Sequence, residues 1–322
     1  MNSPLESPKS PTRIDLNNWA SDWLLDCEIR QLTRSSLEDY QVFLRNFFWF
    51  LDREGITQVG RDELRRFVAY LNTGHTAPGG RWGNPKHTQP LSKPAVCFYL
   101  KNLKAFYNFL VREEYITENP AAKIKSPIVR AEAKQPLTDE TVSALLEAAR
   151  RSRDARRNEA VLLVLLDTGL RASELCALRV SDVDLSARIV RVRNGKGDKP
   201  RTCFIGQITT RSLTLYLRHA HLEAGSALFQ SERGGKITRS GLQQLLARLC
   251  VAAGISSEGV SPHAFRRTFA VNLLRSGANV FSVQNLLGHT NLTMTRRYCA
   301  VAEADIRNQH RDHSPADRLV KR

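Results

Sequence analysis

The chain has 322 residues, 42% hydrophobic and 25% charged, which describes a globular protein with a sizeable core and room for two ordinary domains. Lys and Arg total 48 against 32 Asp and Glu, so the formal charge is +16, split as +3 over residues 1–126 and +13 over the rest; such a charge repels itself unless a polyanion compensates it, and nucleic acid is the usual one. The longest apolar run, 160–166, is cut by Asp167 and falls far short of the ~18 residues of a membrane span, and no apolar export signal opens the chain, so a cytoplasmic protein with no membrane partner is expected.

Residues 1–14 read as a disordered tail, Ser/Pro-rich over residues 1–12. From Leu16 the pattern turns helical. Leu37, Tyr40, Leu44, Phe47, Phe48 and Leu51 recur at helical spacing, with Ser35 or Ser36 as cap and Gly55 as stop. A shorter helix carries Leu64, Phe67, Val68 and Leu71, and a Gly/Pro-rich loop, 73–90, leads to a long helix opened by Ser92 and Pro94. These elements, 15–118, predict a helical bundle. Asn119-Pro120 is expected to stop the preceding helix, and residues 119–136 read as a basic linker, which either is simply solvated or tracks a phosphate backbone.

A second unit, 137–313, opens at Thr138, a natural N-cap followed by Asp139 and Glu140, and residues 314–322 form a C-terminal tail. The apolar helix through 160–166 breaks at Gly169. Alternation at Val190 and Val192, then at 203–205, predicts a hairpin around Gly195-Lys196-Gly197-Asp198. From Thr238 onward the pattern is helical again. The six cysteines (27, 97, 176, 203, 250 and 299) form no C-x-x-C pair, which argues against a disulfide framework and a cysteine zinc site.

Four clusters carry chemistry, and each alone has an ordinary structural explanation. Arg171 follows the break at Gly169, with Glu174 three residues on and within reach if a helix starts there. Lys196 sits between two glycines at the hairpin tip, as an ordinary turn lysine would. His263 lies in the first turn of a helix capped by Ser261 and begun by Pro262, where the dipole favours neutral imidazole; Arg266 is on the same side, and Phe265 and Phe269 make an i, i+4 core pair. Gly288 reads as a helix C-cap that leaves His289 just outside, and Asn291 can cap a short helix carrying Tyr298. Two arginines, a lysine and two histidines are the set a pentavalent phosphoryl transition state calls for, with guanidinium groups on its oxygens. A tyrosine would supply a covalent nucleophile. No carboxylate cluster has metal-ligand spacing, so a two-metal nuclease is disfavoured.

The order Arg171, Lys196, His263-x-x-Arg266, His289, Tyr298 resembles the tyrosine recombinase (phage integrase, Xer-like) family. Thr168-Gly169-Leu170-Arg171, Gly195-Lys196-Gly197, the string around Phe265-Arg266-Arg267 and Leu286-Leu287-Gly288-His289 support it. The resemblance implies an α+β, mostly helical protein: a SAM-like core-binding bundle, then a mixed α/β catalytic domain with a small antiparallel sheet. It implies a site-specific recombinase that cuts and rejoins duplex DNA, with Tyr298 as nucleophile, Arg171 and Arg266 on the phosphate and Lys196 protonating the leaving oxygen. His263 would serve as base, His289 as hydrogen-bond donor and Glu174 as the group orienting Arg171 or a neighbour. It implies no cofactor and no metal, a homo-tetramer on two recombination sites, and accessory DNA-binding proteins as further partners. With the helical part starting near residue 15, no arm-binding domain is expected, which suits a Xer-like, transposon or plasmid enzyme, integrating, excising or resolving a mobile element. A type IB topoisomerase-like relaxing enzyme and a catalytically silent DNA-binding protein are the alternatives.

Overall fold

Aromatic residues at helical spacing build the first unit. The computed structural model describes residues 10–76, 79–129, 134–193, 200–232, 234–288 and Ser314, and the chain divides into two units, Met1–Ala131 and Glu132–Arg322. In the first, α1 (Arg13–Ile29), α2 (Arg34–Arg53), α3 (Arg61–Asn72) and α4 (Lys93–Arg112) form the bundle. Phe43, Phe47 and Phe50 line one face of α2 and are buried against Trp23, Phe67 and Phe106. Each such ring contributes roughly 1.5–3 kcal/mol by transfer alone. The centroids of Phe47 and Phe67 lie 5.0 Å apart, edge to face.

The ends of this unit differ from expectation. The disordered tail expected through residue 14 is shorter at its C-terminal end. Thr12 caps α1 in a reciprocal capping box with Asp15, because the first helical N–H groups need acceptors. The cap of α2 is Thr33, not Ser35 or Ser36, since the helix already begins at Arg34. The start of the expected linker is not free either: Ala121 and Ile124 are buried against the helical core, and the Asn119 side chain binds backbone at Lys104 and Ala121.

The second unit is built around α6 (Ala155–Thr168). Its run of buried residues, Ala160 through Leu165, leaves little polar face, and a helix apolar on most sides must be enclosed. It packs against α5 (Asp139–Arg151), α8 (Gln207–Ala220) and α10 (Pro262–Arg275). Thr138 caps α5 and Ser261 caps α10, as the sequence predicts. After α6 come α7 (Ala172–Ala177) and a three-stranded antiparallel sheet, β1 (Val183–Asp184), β2 (Ile189–Val192) and β3 (Arg201–Phe204), ordered β1-β2-β3. Val190 pairs with Cys203 and Val192 with Arg201, so the two expected strands pair antiparallel, with a short extra strand at the edge. Helix α9 (Arg239–Ala252) precedes α10, and α11 (Val280–Leu287) follows it. Phe265 and Phe269 do not act as one core pair: Phe265 enters the main core, while Phe269 packs on the cluster around Leu274, Val283 and Leu287.

Gly169 turns the chain from α6 toward α7 in the left-handed region, at φ +59. A Cβ there would stand 2.5 Å from Phe269 Cδ1 and 3.0 Å from Leu287 Cδ2. Both the backbone and the packing therefore demand glycine. Gly169→Ala is expected to cost about 2–5 kcal/mol, strain and overpacking together, read as a lower guanidinium midpoint at unchanged slope. An unshifted midpoint would show that the elbow tolerates a side chain.

Candidate active site

Three consecutive carbonyls at the end of α11 organise the site. The last carbonyls of a helix have no partner inside it, and Gly288, at φ +63, ends α11 in a left-handed cap. Arg201 Nε donates to Leu286 O at 3.1 Å, Arg266 Nη2 to Leu287 O at 2.6 Å, and Arg171 Nη2 reaches Gly288 O at 3.4 Å. Guanidinium groups suit this place because the helix dipole leaves its C-terminus partly negative. Arg266 also donates through Nη1 to Gly169 O at 2.7 Å, tying the α6 elbow to α11. Arg171 and Arg266, 95 residues apart in the chain, thus meet at one point.

Glu174 lies beneath them. Its side chain is 3% exposed and accepts from the Arg171 backbone N–H and from Arg171 Nη1, each at 2.7 Å. The first bond caps the N-terminus of α7. Arg201 adds a fork-to-fork pair, Nη1 to Oε1 and Nη2 to Oε2, both 2.7 Å. Burial alone would raise the Glu174 carboxyl, but hydrogen bonds from Arg201 and from the Arg171 backbone, with the Arg201 charge, more than offset it and hold the pKa at about 2.

His263 sits in the first turn of α10 with its ring reaching solvent. Partial desolvation, then the charges of Arg266, Arg171 and Arg267, push its pKa down from 6.5. The imidazole is neutral at neutral pH, a form that can accept a proton. Arg267 anchors the entry to this unit, donating through Nε to Gln135 O at 2.7 Å, and Leu137 N–H donates to the buried Thr268 hydroxyl at 2.8 Å.

Of the seven candidate residues, Arg171, Glu174, His263 and Arg266 come together here. Lys196, His289 and Tyr298 lie outside the described residues, as does the helix expected after Asn291. Among the described residues no cluster of three His, Cys, Asp or Glu could hold a metal ion, the cysteines are free, and no helix is long and apolar enough to cross a membrane. Sequence reasoning missed Arg201. Its signal is there: β3 alternation puts Arg201 in phase with the buried Cys203, and a cation on an inward strand face needs a buried partner.

Residues 135–305 match the model of the phage integrase family. Over 288 residues the chain is 35% identical to the tyrosine recombinase XerC of Bacillus subtilis (strain 168), covering 87% of this chain and 88% of that protein. It is 30% identical over 316 residues to XerC of Halalkalibacterium halodurans, covering 94% and 99%. The crystal structure of the XerH site-specific recombinase bound to palindromic difH substrate in a post-cleavage complex superposes with a TM-score of 0.69 at 20% identity, over 98% of this chain and 100% of that one.

The Glu174 carboxyl has a sign-determined effect on stability. Its folded pKa lies below the unfolded value near 4.5, so the stabilisation is complete above that pH and is lost as pH falls toward about 2. The difference corresponds to about 3 kcal/mol. Acid-unfolding curves should show this loss in the native protein and lack it in Glu174→Gln, which should also be less stable at neutral pH by about 3–5 kcal/mol. Parallel curves for the two proteins across that window would contradict it.

Proposed function

Since this chain belongs to the phage integrase family, as a tyrosine recombinase of the Xer type that cuts and rejoins DNA in site-specific recombination, we propose that it works through a 3′-phosphotyrosyl link formed by Tyr298. The observation that carries this reading is the meeting of Arg171 and Arg266 at the end of α11, immediately before His289 in the chain, with His263 in the first turn of α10 within reach of both charges.

The Tyr298 hydroxyl attacks the scissile phosphorus. A P–O bond forms to the phenol oxygen as the bond to the 5′-oxygen breaks. A phenol is too weakly acidic to ionise freely at neutral pH (pKa ~10), so its proton must leave during attack. Neutral His263 accepts it, and Lys196 donates a proton to the departing 5′-oxygen. Arg171 and Arg266 bind the non-bridging oxygens, where negative charge builds in the transition state, and His289 donates a further hydrogen bond. Glu174 keeps Arg171 in place. Attack by another 5′-hydroxyl reverses the sequence on a new partner strand, so the link preserves the energy of the broken bond without a nucleotide.

Support for each role differs. Arg266 is 3% exposed and fixed by two carbonyls, so it presents a pre-organised cation, whereas the Arg171 side chain, at 22%, is open to a ligand. The excess charge of +13 after residue 126 would draw duplex DNA to this unit. The helical unit would add a second DNA contact, and the active assembly would be a tetramer of this chain on two sites.

Tyr298→Phe should retain DNA affinity but form no covalent adduct on a nicked suicide duplex; an adduct surviving the change would remove the nucleophile. Arg171→Ala and Arg266→Ala should each slow single-turnover cleavage by ~100–1,000-fold, the range for losing one transition-state donor. Cleavage at subsaturating DNA should stay high down to mildly acidic pH and fall only through a midpoint below 6.5, where His263 gains its proton. His263→Gln should be slow and lack that limb; an identical limb in the variant would reassign the base.

A further inference from the structure

All three nitrogens of Arg201 donate inside the protein. Nη1 and Nη2 bind the two oxygens of Glu174, Nε binds Leu286 O, and the side chain is 9% exposed. It therefore differs from Arg171, whose side chain is 22% exposed: each of the three Arg201 nitrogens already has a protein acceptor. It stands at the start of β3, where the hairpin carrying Lys196 rejoins the sheet, opposite Val192. Gly288 packs directly on it, since a Cβ at that glycine would lie 3.1 Å from Arg201 Cδ. One side chain thus touches the strand that follows Lys196, the carboxylate that holds Arg171, and the helix end that precedes His289.

We propose that Arg201 is a positioning residue of the cleavage reaction, which neutralises Glu174 so that Arg171 stays available to the scissile phosphate, and which fixes the end of α11 against β3. The electrostatic argument follows from the count of bonds. Glu174 accepts one side-chain bond from Arg171 and two from Arg201. Removing Arg201 leaves a buried carboxylate whose remaining cation is Arg171, and a guanidinium drawn into a two-pronged pair with it has fewer N–H groups to turn outward. The same removal frees Leu286 O at the helix end. Cleavage should suffer, while affinity for DNA, set by many phosphate contacts, should not.

The inference rests on the phosphoryl-transfer reading above, and the test keeps the two apart. Full-length protein in excess over a nicked suicide duplex gives a single-turnover cleavage rate, and titration of intact duplex gives Kd. Arg201→Met should cleave at least 30-fold more slowly with Kd within threefold of the native protein. Arg201→Lys, which keeps a charge beside Glu174 but not the fork, should recover part of the rate, and it carries the test if Arg201→Met does not fold. The decisive variant is the double change, Arg201→Met with Glu174→Gln. With the carboxylate charge gone, Arg171 is no longer held captive, so the double variant should cleave faster than Arg201→Met alone. A merely structural Arg201 predicts the opposite, because losing two buried partners is worse than losing one. Cleavage by Arg201→Met and Arg201→Lys within threefold of native, loss of affinity in step with cleavage, or a double variant slower than the single would each overturn the proposal. If Arg171→Ala itself cleaves normally, the phosphoryl-transfer reading fails first; if Arg171→Ala is slow and the Arg201 variants are not, only the positioning role is lost.

Discussion

The buried carboxylate of Glu174 is the constraint on which the rest of the site depends. An ionised acid out of water is costly unless its lone pairs are filled, and two guanidinium groups and a backbone N–H fill them. Those bonds have positional consequences. The backbone bond starts α7 at the residue after Arg171, and the side-chain bonds bring a cation from an elbow and another from a strand onto one acceptor. A neutral core at this place would save the cost of desolvation but would leave Arg171 without orientation. Stability is here subordinate to geometry.

The second requirement is that like charges tolerate one another. Arg171 and Arg201 share one carboxylate, and Arg266 binds the carbonyl between theirs at the end of α11. The end of α11 makes this tolerable, because its last carbonyls are unfilled acceptors at the negative end of a helix. The three guanidiniums find a ladder of oxygens at consecutive residues, Leu286, Leu287 and Gly288. What remains is a positive field with few mobile parts, and an incoming phosphate would meet donors already in place rather than paying to arrange them. Partial burial lowers the pKa of His263 first and that field lowers it further: the cations that would attract a phosphate also favour a neutral imidazole.

The helical unit follows a different logic. Its core is aromatic, with Phe, Trp and Tyr rings in edge and stacked contacts along α2, α3 and α4. Its formal charge is only slightly positive through residue 126; burial holds it together, with exposed ion pairs between helices such as Arg13 with Asp52 and Arg112 with Asp26.

Much of this was legible in the residues themselves. Helix starts were signalled by Ser92, Thr138, Thr238 and Ser261, whose hydroxyls or backbone suit the cap, and stops by Gly169 and Gly288, because only glycine takes the left-handed turn freely. The apolar run at 160–166 announced a buried helix, and alternation announced the hairpin. These are local properties, fixed by side-chain shape and by hydrogen-bond needs within a few residues. The short strand β1 and helix α7 were not predicted outright, since two-residue pairing and a six-residue helix carry little periodicity; the 14-residue α8 was missed although Leu213, Tyr216, Leu217 and Ala220 recur at helical spacing. The role of Glu174 as a shared acceptor and the presence of Arg201 beside it depend on contacts across 27 residues, and the meeting of Arg171 with Arg266 at the end of α11 on contacts across 117 and 21. The sequence alone determined most of the residues that could do phosphate chemistry and where several helices begin and end. Only the tertiary structure decided which of those charges share a partner, because burial and Coulomb energy depend on distance in space, and that distance is set by how α6, α10, α11 and β3 pack.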